Sequence, residues 1–325
     1  MPMNVIVDTD PAMGSLGIGA EDPEDGFAIM LALRSPELDV RAITVVHGNV
    51  PLDHGYSNAV HLVDLLGRGD VPVAPGLAGP LLRPLGADHA SREKAGARRI
   101  SPMLDVRAAP AHAVDLIIET IMNGDEPVTI IAIGPLSNVA AVLIREPALA
   151  RSGARLVIMG GALRVPGNVN PSAEFNIWAD PEAASIVFNS GIPITLVGLD
   201  VCHQTLMRSE QVRSLNGNSL LAHFVREATS PWVDVVISAG KEGFHLYDSL
   251  AVAIAIRPEL VRMEPVWVDI ELKGEHTLGQ TVAYLDPSHR AWFGDKPNCE
   301  ACLDLIDVQG FADLMDERVL VPLRA

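Results

Sequence analysis

The sequence predicts an α/β fold with an open, mostly parallel central sheet that is flanked by helices. Short β-branched runs alternate with longer helical patterns in the first part of the chain. Each run is apolar on both faces, as parallel strands covered by helices on both sides of a sheet must be. The chain has neither a low-complexity linker nor an internal repeat. We therefore expect residues 1–325 to form a single domain whose second half carries additional helices.

The elements follow in order along the chain. Strands are expected at five β-branched runs, which are NVIVD (4–8), LDVRAITVV (38–46), VTIIAIG (128–134), RLVIMGG (155–161) and ITLVGLD (194–200). Helices are expected at DPEDGFAIMLALR (22–34), at residues 53–66 and at PLSNVAAVLI (135–144). Asp22 is expected to cap the first helix, with Pro23 at its first position. Residues from about 208 to 256 are mainly helical, and strands return at PVWVDIEL (265–272) and QTVAYLD (280–286).

The last predicted helix follows Pro297 and includes ACLDLIDVQGFADLM (301–315). Cys299 and Cys302 have the spacing C-x-x-C there, but no second pair or Cys/His partner follows at zinc-finger spacing. We therefore interpret them as two structural thiols one helical turn apart. The third cysteine, Cys202, leaves an odd number in a chain without a secretion signal, which agrees with a reducing compartment.

The composition favours a small ligand over a polymeric partner. The formal net charge is −17 and the pI is about 4.9, whereas binding nucleic acid requires a basic surface. No apolar run approaches the roughly 20 residues that a membrane-spanning helix needs. The N-terminal MPMNVIVDTD lacks the basic and apolar regions of a signal peptide. We therefore expect a cytoplasmic protein that binds neither nucleic acid nor a membrane.

Six acidic residues lie at or after the end of the first predicted strand, where ligands gather in open α/β sheets. They are Asp8, Asp10, Glu21, Asp22, Glu24 and Asp25. Helix capping and the helix dipole explain the last acids of this group, but not Asp8 and Asp10. Carboxylates that converge on one point repel each other unless a cation neutralises them, and oxygen donors suit Ca²⁺ or Mg²⁺. The cluster therefore predicts a divalent metal site.

Glycines in the same region raise two nucleotide-binding alternatives, which both fail. Gly14, Gly17 and Gly19 do not match the dinucleotide fingerprint, because Asp22 stands at the position of its third glycine. Gly14 to Gly19 match the start of a phosphate-binding P-loop, but Ala20 and Glu21 replace the required Lys and Ser/Thr.

With these residues in view, VDTDPAMG followed by EDPEDGFAI resembles the DTDPG-x-DD-x-x-AI signature of the inosine-uridine nucleoside hydrolase family. Four further blocks match in the same order, which are VVHGN (45–49), IGPLSN (133–138), MGGALRVPGNVNPSAEFNIWADPEAA (159–184) and YDSLAVA (247–253). The AEFN and DPEAA parts are specific, and the ordered set covers about three quarters of the chain. The resemblance implies a Rossmann-like fold and a Ca²⁺-dependent enzyme that hydrolyses ribonucleosides to base and ribose.

The same resemblance implies roles for individual residues. The implied calcium ligands are Asp10, Asp25, Asp248 and the main-chain carbonyl of Ile133. The implied ribose ligands are Glu24, Asn49, Asn168, Glu174 and Asn176. Asp10 is also implied as the base that deprotonates a metal-bound water, while we assign Asp8 to support behind the metal. Without the family pattern, Asn49 and Asn168 would be interpreted as turn residues. Relatives are commonly homodimers or homotetramers, so we expect a homo-oligomer.

The sequence departs from the family pattern at three places. About ten residues, Gly14–Pro23, separate the two halves of the N-terminal acidic motif, and Glu24 replaces an aspartate. Tyr247 stands where the family has a histidine that activates the leaving base. His245, and His89 in the long loop of residues 75–100, are candidates to replace it. The sequence is therefore compatible with a preference for a purine, a pyrimidine or a modified base.

Two other functions are compatible with parts of the sequence. Asp8-x-Asp10 after a first strand is also typical of haloacid-dehalogenase-like phosphatases that use Mg²⁺. That assignment lacks a later lysine motif and leaves the AEFN block unexplained. A non-catalytic nucleoside- or sugar-binding protein, inactivated by the change at Tyr247, is the second alternative. Two long loops, at residues 75–100 and 162–173, are rich in Gly, Pro and polar residues, and loops of that length in a compact domain are often functional.

Overall fold

The computed structural model describes residues 1–16, 22–84, 98–99, 109–286, 288 and 296–325. The strands are β1 (Met3–Thr9), β2 (Ser15–Leu16), β3 (Leu38–Val45), β4 (Val73–Pro75), β5 (Arg98–Arg99), β6 (Val128–Ala132), β7 (Arg155–Met159), β8 (Ile194–Val197), β9 (Met207–Arg208), β10 (Gly243–Phe244), β11 (Val261–Ile270), β12 (Thr281–Tyr284) and β13 (Cys299–Leu305). The α-helices are α1 (Glu24–Arg34), α2 (Leu52–Leu65), α3 (Ala113–Met122), α4 (Ser137–Arg145), α5 (Phe175–Ala179), α6 (Pro181–Phe188), α7 (Leu199–Cys202), α8 (Ser209–Arg213), α9 (Leu220–Ser238), α10 (Tyr247–Ile256), α11 (Val308–Met315) and α12 (Val321–Arg324).

Nine of these strands form one sheet in the order β12-β11-β13-β8-β7-β6-β1-β3-β4. The seven strands from β13 to β4 pair in parallel, whereas β11 pairs antiparallel with both β13 and β12. The prediction of an α/β fold with an open, mostly parallel sheet is confirmed. The five strands and three helices expected in the first part of the chain are all present, with boundaries shifted by a few residues.

Helices cover the centre of the sheet on both faces, which explains why its central strands lack a polar side. Val5 and Val7 of β1 pack into one apolar cluster with α1 and α10, while Ile6 packs into a second cluster with α3 and α4. All three side chains are fully buried. This alternation follows from the two-residue period of a strand. The apolar runs therefore identify the centre of the sheet correctly.

The segment from Cys299 to Leu305 is a strand, so the prediction that it begins a helix was wrong. It lies between β8 and β11, where both of its faces are covered. Cys299 and Cys302 consequently pack into the two opposite apolar clusters and are not one helical turn apart. Burial raises the pKa of both thiols to about 12. The predicted last helix is confirmed only as α11.

The first helix begins at Glu24, so its predicted start is one residue early. Pro23 precedes the helix rather than occupying its first position. The Glu24 N–H nevertheless donates to Asp22 Oδ1 at 3.2 Å. Asp22 therefore supplies the expected capping contact from one position further out.

The two long loops differ in how much of them is described. Residues 162–173 contain neither helix nor strand, as predicted. Of residues 75–100, those numbered 85–97 and 100 lie outside the described residues, as does the predicted site residue His89. None of the described helices is both long and apolar enough to cross a membrane.

Candidate active site

Four carboxylates lie close together beyond the carboxyl end of β1, and we call them the acidic floor. They are Asp10, Glu24, Asp25 and Asp248. Asp10 follows β1, Glu24 and Asp25 open α1, and Asp248 lies in the first turn of α10. None of the four is more than 6% exposed. Helices α1 and α10 pack against each other, which brings residue 248 back to the N-terminal acids.

Asp10 occupies a space that two glycines leave open. Its Oδ2 accepts a hydrogen bond from the Asn49 N–H at 2.6 Å, while its Oδ1 has no partner among the described residues. A Cβ at Gly48 would lie 1.9 Å from Oδ2, and one at Gly134 would lie 2.8 Å from Oδ1. Any side chain at either glycine would therefore displace the carboxylate. The result is a buried carboxylate with one oxygen fixed and the other unpaired.

Asp25 returns to Asp10 despite the inserted residues between the two halves of the motif. Its Oδ1 accepts from Thr9 Oγ1 at 2.5 Å and from the Asp10 N–H at 3.1 Å. Its Oδ2 accepts from Asn49 Nδ2 at 3.2 Å. Asn49 thus contacts both aspartates, one through its main chain and one through its side chain.

Glu24 is held by the start of α10. The Asp248 N–H donates to Glu24 Oε2 at 2.5 Å, and Ser249 Oγ donates to Oε1 at 3.2 Å. The N-terminus of a helix favours an anion at this place. The longer side chain of Glu24 therefore joins α1 to α10 and keeps Asp248 near the other acids.

Burial raises the pKa of all four acids of the floor. For Asp10 and Asp248 the next cause is repulsion from Asp25, and for Glu24 it is repulsion from Asp22. Buried carboxylates that repel each other must be neutralised by protons or by a cation.

Oxygen donors with an unpaired Asp10 Oδ1 fit a hard divalent cation in their chemistry. These oxygens are less well arranged for a metal ion than their chemical type suggests. Within the described part of the chain, no three His, Cys, Asp or Glu side chains form a ready metal-binding group.

Asp8 lies behind the floor rather than in it. Its Oδ1 accepts from Thr44 Oγ1 at 2.5 Å and from Asn138 Nδ2 at 2.8 Å. Burial raises its pKa to about 7, and the two hydrogen bonds oppose that shift. The Asp8 carbonyl also accepts the Ile133 N–H at 2.8 Å. Asp8 thus links the loop after β6 to β1.

Three other predicted residues meet beside the ends of β6 and β7. Asn176 Nδ2 donates to the Ile133 carbonyl at 3.0 Å and to the Met159 carbonyl at 3.2 Å. Glu174 caps α5, since its carboxylate accepts the main-chain N–H groups of Gly161, Asn176 and Ile177 at 2.8 to 3.2 Å. Glu174 and Asn176 are both buried. Their polar atoms therefore fix the two loops on which they stand.

Asn168 stands apart from these buried groups. Its side chain is exposed, and its Oδ1 accepts the Phe175 N–H at 2.9 Å. The contact ties the loop of residues 162–173 to the start of α5. Asn168 therefore lies outside the buried floor, next to the helix that Glu174 caps.

Three rings form a second cluster next to the floor, and we call it the aromatic rim. It consists of His203, His245 and Tyr247, with ring centroids 5.2 to 6.1 Å apart. His245 Nδ1 lies 2.7 Å from the Thr205 carbonyl oxygen. Because a carbonyl oxygen can only accept, Nδ1 is the donor in this hydrogen bond, and Nε2 is left to interact with a different group. Burial, and then the charge of Asp22, raise the pKa of Tyr247 well above its usual range. His203 was missed at the level of sequence.

Other residues that support the site were also missed. Thr9, Asn138 and Ser249 donate to Asp25, Asp8 and Glu24 respectively. Each lies next to or inside one of the matched sequence blocks. Position within a block is thus the only signal that marks them, because a lone Ser, Thr or Asn carries no chemical pattern.

The comparisons with known proteins agree with this geometry. Residues 5–313 match the family described as inosine-uridine preferring nucleoside hydrolase. The chain belongs to this nucleoside hydrolase family. It is 39% identical to the pyrimidine-specific ribonucleoside hydrolase RihA of Citrobacter koseri, over 98% of each chain.

Solved structures of nucleoside hydrolases share the fold. A purine-preferring ribonucleoside hydrolase from Gardnerella vaginalis superposes with a TM-score of 0.78 at 30% identity, covering 99% of each chain. An inosine-guanosine nucleoside hydrolase gives a TM-score of 0.81 at 28% identity, covering 98% of this chain and 99% of that one. This nucleoside hydrolase is therefore an enzyme that cleaves N-glycosyl bonds of ribonucleosides.

Proposed function

We propose that this nucleoside hydrolase uses Asp10 as the general base and Ca²⁺ as its metal. The observation that carries the proposal is the unpaired Oδ1 of Asp10, fully buried among three other carboxylates. An unsatisfied buried carboxylate oxygen is costly unless it serves a ligand or a reaction. The phosphatase alternative loses its support, because the chain belongs to a family of nucleoside hydrolases.

Asp10 is suited to take a proton from the attacking water. Its Oδ2 is held by the Asn49 N–H at 2.6 Å, so the carboxylate has one fixed orientation and presents Oδ1. Burial and the neighbouring Asp25 raise the pKa of Asp10, which makes it a stronger base than an exposed aspartate. The water then attacks the anomeric carbon of ribose, and the bond to the base breaks.

The residues that would hold the metal are Asp10, Asp25, Asp248 and the carbonyl of Ile133. When bound, the ion would neutralise the floor, orient the ribose hydroxyls and make the water more acidic. The Ile133 carbonyl accepts one hydrogen bond from Asn176 at 3.0 Å, and a carbonyl oxygen has a second lone pair. This donor set consists of oxygens only, which is typical of calcium sites.

The ribose is proposed to lie over the floor. Cleavage of a ribosyl C–N bond develops positive charge on the sugar, and the carboxylates beside it stabilise that charge. We assign Glu24, Asn49, Asn168, Glu174 and Asn176 to the sugar side. Asn49 is the best placed of them, since its side chain is half-buried and already contacts Asp25.

The base is proposed to lie toward the aromatic rim. Tyr247 can stack on the planar ring of the base. His245, when it is protonated, can donate the proton on Nε2 to the base. His89 of the long loop is a further candidate for the proton donor. We propose a preference for pyrimidine ribonucleosides, supported by 39% identity to an enzyme named pyrimidine-specific, against 28% to 30% for the purine-directed structures.

A panel of ribonucleosides, assayed for released base with calcium and with a chelator, tests these proposals together. We expect uridine and cytidine to be cleaved faster than inosine and guanosine, and the chelator to abolish cleavage reversibly. Release of phosphate from a phosphomonoester without any free base would instead support a phosphatase. Tight nucleoside binding without turnover would support a binding protein. We also propose a homodimer or homotetramer, which light scattering of the purified protein tests.

A further inference from the structure

A buried chain of three polar side chains runs behind the acidic floor. It consists of His47, Ser137 and Asp180, none of which is more than 1% exposed. They come from three different sequence blocks, VVHGN, IGPLSN and DPEAA. None of the three has a place in the reaction described above. Hydrogen bonds between buried polar groups fix the segments that carry them.

The hydrogen bonds in this chain have a defined direction. Ser137 Oγ donates to Asp180 Oδ2 at 2.6 Å, and His47 Nε2 lies 2.8 Å from the same Oγ. A hydroxyl has one proton, so Nε2 must donate to Oγ. Asp180 also accepts the N–H groups of Leu81 at 2.8 Å and Ala183 at 3.0 Å. His47 is therefore the first donor and Asp180 the final acceptor.

The first donor stands directly before the residues that orient Asp10. Gly48 and Asn49 follow His47, and the Asn49 N–H holds Asp10 Oδ2 at 2.6 Å. The turn has no spare room, because a Cβ at Gly48 would lie 1.9 Å from that oxygen. A small shift of the turn therefore moves the donor away from the carboxylate. Ser137 opens α4, four residues after Ile133, so the chain also joins two loops of the site.

We infer that Ser137 is a positioning residue for hydrolysis, which acts through His47 to keep the turn of residues 47–49 against Asp10. The inference rests on the proposed role of Asp10. Ser137 is not a nucleophile, since it is fully buried and its proton is committed to Asp180. Its contribution is orientation, for which small displacements are known to cost large factors in rate.

Steady-state kinetics on uridine test the inference, with Ser137→Ala, His47→Ala and the double variant. We expect each single variant to lower kcat by about 10-fold, as supporting hydrogen bonds to active-site groups do. We expect KM to change by less than about twofold, because the lost orientation acts in the transition state. Since both substitutions break the same chain, the double variant should lose no more than His47→Ala alone.

Ser35→Ala is the matched control. Ser35 is a buried serine whose Oγ donates to the Leu31 carbonyl at 2.6 Å, at the far end of α1 from the floor. Its loss should lower the melting temperature without changing kcat of the folded enzyme.

Two outcomes would overturn the inference. The first is a folded Ser137→Ala enzyme with wild-type kcat, and the second is a double variant in which the two reductions of kcat multiply. Wild-type enzyme that releases no base from any ribonucleoside would instead refute the proposed function. The two failures are therefore distinguishable in the same experiment.

Discussion

The acidic floor and the aromatic rim lie side by side but are constrained very differently. Every acid of the floor is buried, and main-chain or side-chain donors orient Asp10, Glu24 and Asp25. The rings of the rim are half-buried or exposed, and His203 lies at the surface. The floor is thus held by hydrogen bonds from the main chain and from buried side chains, whereas the rim consists of side chains that are only partly buried or exposed. We therefore expect the site to accept little change in the sugar or in the floor, and more change in the base or in the rim.

The largest expected effect concerns the sugar. Replacing uridine by 2′-deoxyuridine should lower kcat/KM by roughly 10⁴-fold, because a site that hydrogen-bonds a hydroxyl leaves buried polar groups unpaired without it. Competition kinetics with both nucleosides in one mixture measures the ratio. A ratio near one would mean that the floor does not contact the 2′-hydroxyl.

Asp10→Asn should lower kcat by roughly 10³-fold, which is the size expected for loss of a general base. The amide keeps the shape of the side chain but cannot take the proton. Asp8→Asn is the comparison, because Asp8 lies behind the floor and its loss should cost much less. Equal losses in the two variants would contradict the separate roles of these aspartates.

Calcium should stabilise the protein more at pH 8 than at pH 6. Burial raises the pKa of Asp8 and Asp22 to about 7 and raises those of the floor acids, so the metal-free folded state binds protons that the unfolded state does not. The stabilisation that these bound protons give to the metal-free folded state is complete below pH 4. It is lost as the pH rises through the pKa values of the folded protein.

Calcium is expected to replace the lost protons, and saturation should raise the melting temperature on the order of 5 °C at pH 8. Thermal unfolding with calcium and with a chelator checks this at both pH values. A calcium effect that is larger at pH 6 than at pH 8 would show that the ion does not bind the carboxylates.

At the rim, His245→Gln should lower kcat for uridine by about 100-fold, which is the lower limit for loss of a general acid. An activated substrate such as p-nitrophenyl riboside should be unaffected, since its leaving group needs no proton. Loss of activity on both substrates would place His245 in binding instead.

The smallest effect is expected for Tyr247→Phe. Because burial and nearby carboxylates raise the pKa of Tyr247, its hydroxyl is a poor acid at neutral pH and the ring keeps its stacking surface. We expect kcat to change by less than about threefold, within the range of a single lost weak hydrogen bond. Kinetics on a purine and a pyrimidine nucleoside would reveal a larger change if the hydroxyl selects the base.

The sequence allowed the centre of the sheet and the floor to be predicted, because apolar runs and clustered acids leave clear patterns. The strand β13 was assigned to a helix, since a short run that is apolar on both faces looks the same in a buried strand and a buried helix. Thr9 and Ser249 were missed for another reason. Their hydrogen bonds join different elements, since Thr9 of β1 donates to Asp25 of α1 and Ser249 of α10 donates to Glu24 of α1. Only the tertiary packing of these elements brings the partners together.

The position of β13 has a consequence for synthesis of the protein. Residues 299–305 are made after both β8 and β11, yet they insert between these two strands. Until then, both earlier strands have an open edge facing the gap, and open edges pair readily with other chains. A gene truncated before residue 299 would produce a chain prone to aggregate, even though all four floor acids are already present in it.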